Sequence, residues 1–238
     1  MKLSIIIPVF NEEKTIEKVL NKILSLKIPR FEKEIIVVDD SSSDSTKEII
    51  EKVYTKNKNG IKVFRHEKNL GKGAAVRTGI ENAKGDYILI QDADLEYNPD
   101  DILKLVLNIS GDKSVVYGTR LARLPHLDRE ERRIQFLAHY FGNRFLSFLT
   151  STLYGQWITD METCYKLFPK SALKGTVLRA KGFDFEPEIT SKLLKKGYKI
   201  TEVPIRTNPR GYDEGKKLNT FRDGTIALWS LLKYRFVD

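Results

Sequence analysis

The sequence predicts an α/β domain, a mostly parallel sheet with helices on both faces. Three observations carry this. Short continuous apolar runs recur through the first half, at residues 3–9, 34–38, 61–64 and 87–91. Such runs read as strands buried on both faces. Stretches of helical spacing separate them, and the joins are short and polar. Strand and helix alternating through short loops is the pattern of a parallel sheet. In such sheets ligands bind beyond the carboxyl ends of the strands.

The elements follow in order. Leu3–Val9 is a first strand, ended by Pro8 and Asn11. Thr15–Leu26 carries apolar residues at 16, 19, 20, 23 and 24, a helical period. Glu34–Val38 is a second strand. The polar cluster Asp39–Thr46 ends it and caps a helix through Tyr54. Ile61–Phe64 is a third strand, and Asn69-Leu-Gly-Lys-Gly73 leads into a helix over Ala74–Ala83. The 87–91 strand precedes a helix over 101–109, and Val115–Gly118 is a further strand. Arg132–Tyr154 is a long helix, apolar around much of its circumference, and is expected to be core. Asp160–Lys166 follows, then a helix over Phe183–Lys196 with acids in its first turn, then a strand over Lys199–Pro204. Arg206–Leu218 is a basic, glycine-punctuated loop. Arg222–Phe236 closes the chain as an amphipathic helix in which Trp229 and Tyr234 sit beside Lys233 and Arg235. Basic plus aromatic character fits a membrane-surface helix, and packing on the domain is the alternative.

Composition narrows the function. The chain has 238 residues, one cysteine and three scattered histidines, which leaves no internal disulfide and no zinc-type cluster. The N-terminal apolar run is too short and proline-limited for a signal peptide, and no window approaches a membrane span. A cytoplasmic location is expected. The net charge of +9 is unevenly placed: residues 1–110 hold 18 Lys+Arg against 18 Asp+Glu, and residues 111–238 hold 23 against 14. The second half is therefore expected to meet an anionic partner.

The chemistry-bearing residues fall at strand ends. Asn11-Glu12 follows the first strand, Asp39-Asp40 the second, and Asp92, Asp94 and Glu96 the 87–91 strand. Carboxylates at i, i+2, i+4 on extended backbone point the same way, and three can present oxygens to one hard divalent cation such as Mn2+ or Mg2+. The alternative is a solvated acidic turn before the helix that Asn98–Asp101 caps. Gly71-Lys72-Gly73 before a helix can hold phosphate on backbone N–H groups, although it is not a P-loop.

Together these residues resemble a known family. Ile7-Pro8-Val9-Phe10-Asn11-Glu12, Val38-Asp39-Asp40-Ser41, the 71–73 loop and Asp92-Ala93-Asp94 match family 2 glycosyltransferases of the GT-A fold over roughly the first 120 residues. Gly118-Thr119-Arg120, Asp160 ahead of Cys164-Tyr165-Lys166, Glu202-Val203-Pro204, and Arg210 before Gly215-Lys216-Lys217-Leu218 resemble the dolichyl- or polyprenyl-phosphate sugar synthases. Departures include Phe10 where many relatives carry Tyr, Glu96 where they carry Gln or Ser, and Lys216-Lys217 where they carry Ser-Lys.

The resemblance implies a GT-A catalytic domain over 1–221. Its nucleotide-sugar half is 1–118 and its acceptor half 119–221, followed by a juxtamembrane amphipathic helix over 222–238. The implied reaction transfers a hexose from a UDP- or GDP-sugar to a polyprenyl or dolichyl phosphate, with inversion. Asp94 and Glu96 would hold the metal, and Asp92 would face ribose or metal-bound water. Pro8, Phe10, Glu12, Val38, Asp40 and Ala93 would belong to the donor pocket, and Lys72 would touch donor phosphate. Arg120, Arg133, Arg210 and Lys217 would hold the acceptor phosphate, with Asp160 orienting the sugar or an arginine. Partners would be an anionic membrane and a separate membrane subunit, not nucleic acid. The competing reading is a family 2 enzyme that adds sugar to a glycan or protein, with a carboxylate such as Asp160 as base.

Overall fold

A computed structural model describes residues 1–111, 113–121, 134–208 and 220–237. Seven strands form one sheet in the order β3-β2-β1-β4-β6-β5-β7. They are β1 (Lys2–Val9), β2 (Glu32–Asp39), β3 (Ile61–Arg65), β4 (Tyr87–Ile90), β5 (Val115–Thr119), β6 (Lys166–Pro169) and β7 (Ile200–Pro204). The helices are α1 (Ile16–Ser25), α2 (Thr46–Lys56), α3 (Lys72–Asn82), α4 (Ile102–Leu107), α5 (Ile134–Tyr154), α6 (Phe185–Lys195) and α7 (Thr220–Phe236). β1 runs parallel to β2 and β4, and β2 to β3. Ile5–Ile7, Ile35–Val38 and Ile88–Leu89 are wholly buried, as strands covered on both faces must be.

β6 is the element that the apolar pattern does not announce. It is four residues long and runs antiparallel between β4 and β5. Its first residue is Lys166, fully buried, so the run begins with a charge. The ammonium is satisfied by the Met161 carbonyl at 2.7 Å and by that of Thr163, both in the loop that precedes it.

Two polar latches fix the sheet's ends. At the amino end Glu34 accepts from Ser4 Oγ (2.6 Å) and the Lys84 N–H (2.9 Å) and pairs with Lys62. At the carboxyl end the loops after β1 and β2 bind each other. The Asn11 N–H donates to Ser42 Oγ (3.0 Å), the Ser43 N–H to Asn11 Oδ1 (2.8 Å), and the Glu12 N–H to Thr46 Oγ1 (2.8 Å). Asn11 and Ser41 both hold positive φ, 50° and 65°. Two of the three described non-glycine residues at positive φ thus lie at this lip, and the third, Arg30 at 67°, precedes β2 at the other end.

The long helix corrects the expectation of a core element. α5 buries Tyr140, Asn143, Leu146, Ser147, Thr150 and Ser151, but Phe141, Phe145 and Phe148 are 57–60% exposed. Only one face meets the domain, because α5 lies over α6 and α7 as an outer element. α7 buries Ala227, Ser230, Leu231 and Tyr234, and the Tyr234 ring lies 4.7 Å from Lys192 Nζ. Its other face exposes Trp229 and Phe236. No described helix is long and apolar enough to cross a membrane.

Candidate active site

A cleft of about 380 Å³ opens at the carboxyl ends of β1, β2, β4 and β5. This is the switch point of the sheet, where β1 has β2 on one side and β4 on the other. Of the residues singled out in the sequence, Pro8, Phe10, Glu12, Asp40, Lys72, Asp92, Ala93, Asp94, Glu96 and Arg120 line it. Val38 does not: it lies wholly in the core, paired with Pro8 and Phe64 across the sheet. Arg133, Arg210 and Lys217 lie outside the described residues. Tyr97, His139, Glu162, Cys164, Phe183 and Glu186 also line the cleft and carry no sequence pattern of their own.

The glycine-lysine loop makes close contacts within the protein. The Gly71 and Leu70 N–H groups donate to the Asp40 carboxylate at 2.7 and 2.9 Å, and the Ala74 N–H donates to the Lys181 carbonyl at 3.1 Å. These donors are already committed within the protein. A Cβ at Gly73 would stand 2.9 Å from the Ala180 and Gly182 carbonyl oxygens. At Gly71, where φ is 95°, it would stand 2.3 Å from that of Lys181. The glycines let the 180–182 backbone approach, and the loop delivers the Lys72 side chain to the cleft. Asp40 also faces His66, whose Nδ1 is 2.6 Å from Oδ1 while its Nε2 is 2.9 Å from Thr78 Oγ1.

Lys72 sits between two carboxylates, 2.9 Å from Asp92 Oδ1 and 3.0 Å from Glu186 Oε1. Burial opposes its charge, but Asp92, Cys164 and Glu186 outweigh burial and push its pKa well above the ordinary value. Burial works against the charge on Asp92 too. Lys72 dominates there and holds its carboxyl below the usual carboxylate range. The Cys164 thiol is pushed well up by burial and then by Asp92, which makes it no nucleophile.

Among the described residues, no group of three or more His, Cys, Asp or Glu side chains is arranged to hold a metal by itself. Asp92 is engaged with Lys72, and the Glu96 N–H donates to Asp94 Oδ1 (3.1 Å). Mg2+ and Mn2+ are commonly held by one or two carboxylates together with substrate phosphates. The all-oxygen pair Asp94 and Glu96, lining one cleft, fits that chemistry.

Opposite the acids stands Arg120, just past β5. Its Nε and Nη2 donate to Asp160 Oδ2 and Oδ1 at 2.8 and 2.7 Å, and its backbone N–H also donates to Oδ2 at 2.9 Å. Asp160 is wholly buried. Burial would raise its pKa, yet Arg120 holds it below the ordinary value. The Asp160 and Thr159 N–H groups bind Glu202 at 2.9 and 2.8 Å, which ties this loop to β7. Beyond β7 the chain runs along the acidic turn, where the Asn208 N–H donates to the Glu96 carbonyl at 2.9 Å and Tyr97 bridges to Thr207.

Glu162 follows Asp160 by two residues and faces both this cleft and a smaller pocket under α5 and α7. Burial, then Glu186, raises its pKa to about 8.

Comparison with known proteins accords with this geometry. The model for glycosyl transferase family 2 matches residues 4–176. The UDP-N-acetylglucosamine–dolichyl-phosphate N-acetylglucosaminyltransferase of Methanococcus voltae is 33% identical over 232 residues, covering 90% of this chain and 89% of that one. A dolichyl-phosphate beta-glucosyltransferase of Trichomonas vaginalis is 32% identical over 219 residues, covering 87% and 65%. Glucosyl-3-phosphoglycerate synthase from Mycobacterium tuberculosis, solved with UDP, shares the fold with a TM-score of 0.73 at 20% identity, over 100% of this chain and 81% of that one. The same enzyme solved with Mn2+, UDP and glucosyl-3-phosphoglycerate gives 0.70. The acids past β1, β2 and β4, the lysine they surround and the arginine past β5 thus stand on a shared framework, and the chain belongs to the family 2 glycosyltransferases.

Proposed function

We propose that this glycosyltransferase moves a hexose from a nucleoside diphosphate sugar to a polyprenyl phosphate, with inversion at the anomeric carbon. The observation that carries the reading is the closure of Asp160 in the fork of Arg120. The carboxylate that a sugar-hydroxyl acceptor would use as base is buried and ion-paired. The same contact fixes a guanidinium at the cleft, and its edge outside the Asp160 pair is where an anionic acceptor would be met.

Pro8, Phe10, Glu12 and Asp40 take the nucleoside, with Val38 supporting that wall from the core. Asp94 and Glu96 would hold Mn2+ or Mg2+. Bound there, the ion would offset charge on the departing nucleoside diphosphate. Lys72 fixes Asp92 and stands near the donor phosphates. Arg120, joined by Arg133, Arg210 and Lys217, holds the acceptor phosphate. Its oxygen forms the new bond to the anomeric carbon as the bond to the nucleoside diphosphate breaks on the opposite face. No general base is required, because a phosphate monoester with a second pKa of about 6 arrives largely as the dianion.

The acceptor's lipid tail places the reaction at a membrane. Phe141, Phe145 and Phe148 recur at helical spacing on the open face of α5, and α7 exposes Trp229 and Phe236 near Lys233 and Arg235. Exposed aromatics beside basic residues suit peripheral contact with an anionic cytoplasmic leaflet. A separate membrane subunit is the second partner consistent with such a face.

The test is a donor screen. Radiolabelled UDP-glucose, UDP-N-acetylglucosamine and GDP-mannose are each incubated with the protein, polyprenyl phosphate and Mn2+. Label extracted into the organic phase with one donor supports the reading. Donor turnover with saccharide acceptors alone would replace it.

A further inference from the structure

We infer, building on the donor reading above, that Glu162 is a specificity-determining residue that hydrogen-bonds the transferring sugar. The donor it selects carries a neutral hexose or N-acetylhexosamine, not a uronate. Three observations support this. Glu162 lines both the cleft and the smaller pocket under α5 and α7, so it marks the junction of the donor and acceptor sides. That junction is where a sugar in transit must lie. Its Oε1 is buried without a hydrogen-bond partner among the described residues, which a native site rarely leaves unexplained. Its backbone is pinned on both sides, by Asp160 bound to Arg120 and Glu202, and by Lys166 bound to the Met161 and Thr163 carbonyls. The loop is held in place while Oε1 remains without a partner among the described residues.

The surroundings define the ligand. Glu186 is buried, with Oε1 on Lys72 and Oε2 unpartnered. Together with burial it keeps the Glu162 carboxyl protonated near neutrality. A protonated carboxyl both donates and accepts, as a sugar hydroxyl or an acetamido group requires. A uronate at this point would meet Glu186 and Asp92 and be repelled.

Titration calorimetry with Mn2+ tests this on the wild type, Glu162→Ala and Glu162→Gln, using UDP, UDP-glucose, UDP-N-acetylglucosamine and UDP-glucuronate. The expected result is that Ala weakens the accepted UDP-sugar about three- to tenfold while leaving UDP unchanged, the effect of one lost neutral hydrogen bond. Gln, neutral and able to donate and accept, retains sugar binding and turnover. UDP-glucuronate binds the wild type more weakly than the accepted sugar. Unchanged sugar binding in Glu162→Ala overturns the proposal, as does equal weakening of UDP and UDP-sugar. Loss of turnover in Glu162→Gln with binding intact overturns it as well, and makes Glu162 a base. A wild type that binds none of these and no GDP-mannose either overturns the donor reading itself, which the other outcomes leave standing.

Discussion

Replacing Asp160 with Asn separates the two acceptor chemistries. Asp160 is wholly buried and accepts three N–H bonds from Arg120, two of them charge-assisted. An amide there keeps one acceptor oxygen, turns an NH2 group toward the guanidinium and removes the countercharge. Breaking one side of a buried ion pair costs roughly 3–5 kcal/mol, and the Arg120 side chain is 20% exposed, so the expected loss is near the lower end, about 3 kcal/mol. Urea denaturation reads this directly. Because Arg120 lowers the Asp160 pKa, the pair's contribution is complete above the ordinary carboxylate range. It is lost only as pH falls through the lowered value, so the difference between variant and wild type should not change with pH near neutrality. A loosened Arg120 forfeits a charge-assisted contact to phosphate worth roughly 1.5–3 kcal/mol, a tenfold to hundredfold fall in acceptor kcat/KM with donor affinity preserved. Wild-type stability and acceptor efficiency in the variant would refute the role of the pair. A rate abolished at every pH, with both substrates still bound, would make Asp160 the base and the acceptor a glycan.

Other perturbations probe the remaining parts. Asp94→Ala should abolish transfer with the fold intact, and EDTA should do the same to the wild type; full activity in EDTA removes the metal from the mechanism. Gly73→Ala places a Cβ 2.9 Å from two carbonyl oxygens, so it should destabilise by about 1–3 kcal/mol, measured by thermal melting, and weaken donor binding as Lys72 shifts. A wild-type melt would show that the 180–182 loop yields easily. Phe145→Glu with Trp229→Glu should reduce sedimentation with anionic liposomes while UDP affinity holds; equal sedimentation assigns the exposed aromatics elsewhere. Transfer should rise with pH through about 6 as the acceptor becomes a dianion, then level. A rate indifferent to pH there speaks against a phosphate nucleophile.

The parallel half of the sheet was legible because its strands carry short apolar runs, and each acidic motif sits at a strand's carboxyl end. The same property hid which β2 side chain reaches the cleft: a strand buried on both faces gives no alternation, and Val38 points into the core. β6 was hidden because Lys166 opens it, its charge answered by carbonyls that only the folded loop brings near. Glu186 was visible as an acid in the first turn of a helix, a common capping preference, and nothing local distinguishes it as the partner of Lys72. Tyr97 and Glu162 reach the cleft through topology, β6 having inserted beside β4. The close approach of the 180–182 backbone to Gly71 and Gly73 was not legible, since close backbone approach and phosphate binding leave the same residues in the sequence.

The balance of charge in the cleft bears on how a second anionic substrate would be held. The described cleft presents Glu12, Asp40, Asp92, Asp94, Glu96 and Glu186, beside the protonated Glu162, against Lys72 and Arg120. Both of those cations are already paired with carboxylates. A wall of this sign repels a pyrophosphate and a phosphate brought together. Burying that much like charge requires countercharge close by, since the interaction grows as water is excluded. Under the proposed reading a divalent ion held by Asp94 and Glu96 would supply part of it on the donor side. On the acceptor side the sequence places Arg123, Arg129, Arg132 and Arg133 soon after Arg120, and Arg210, Lys216 and Lys217 soon after Asn208, whose N–H binds the Glu96 carbonyl. Residues 122–133 hold four arginines against three acids, and residues 209–219 three basic residues against two acids, so the two stretches carry only +2 of the +9. Under the proposed reading it is individual arginines and lysines there, not a net excess, that would have to neutralise a second anionic substrate in an acidic cleft.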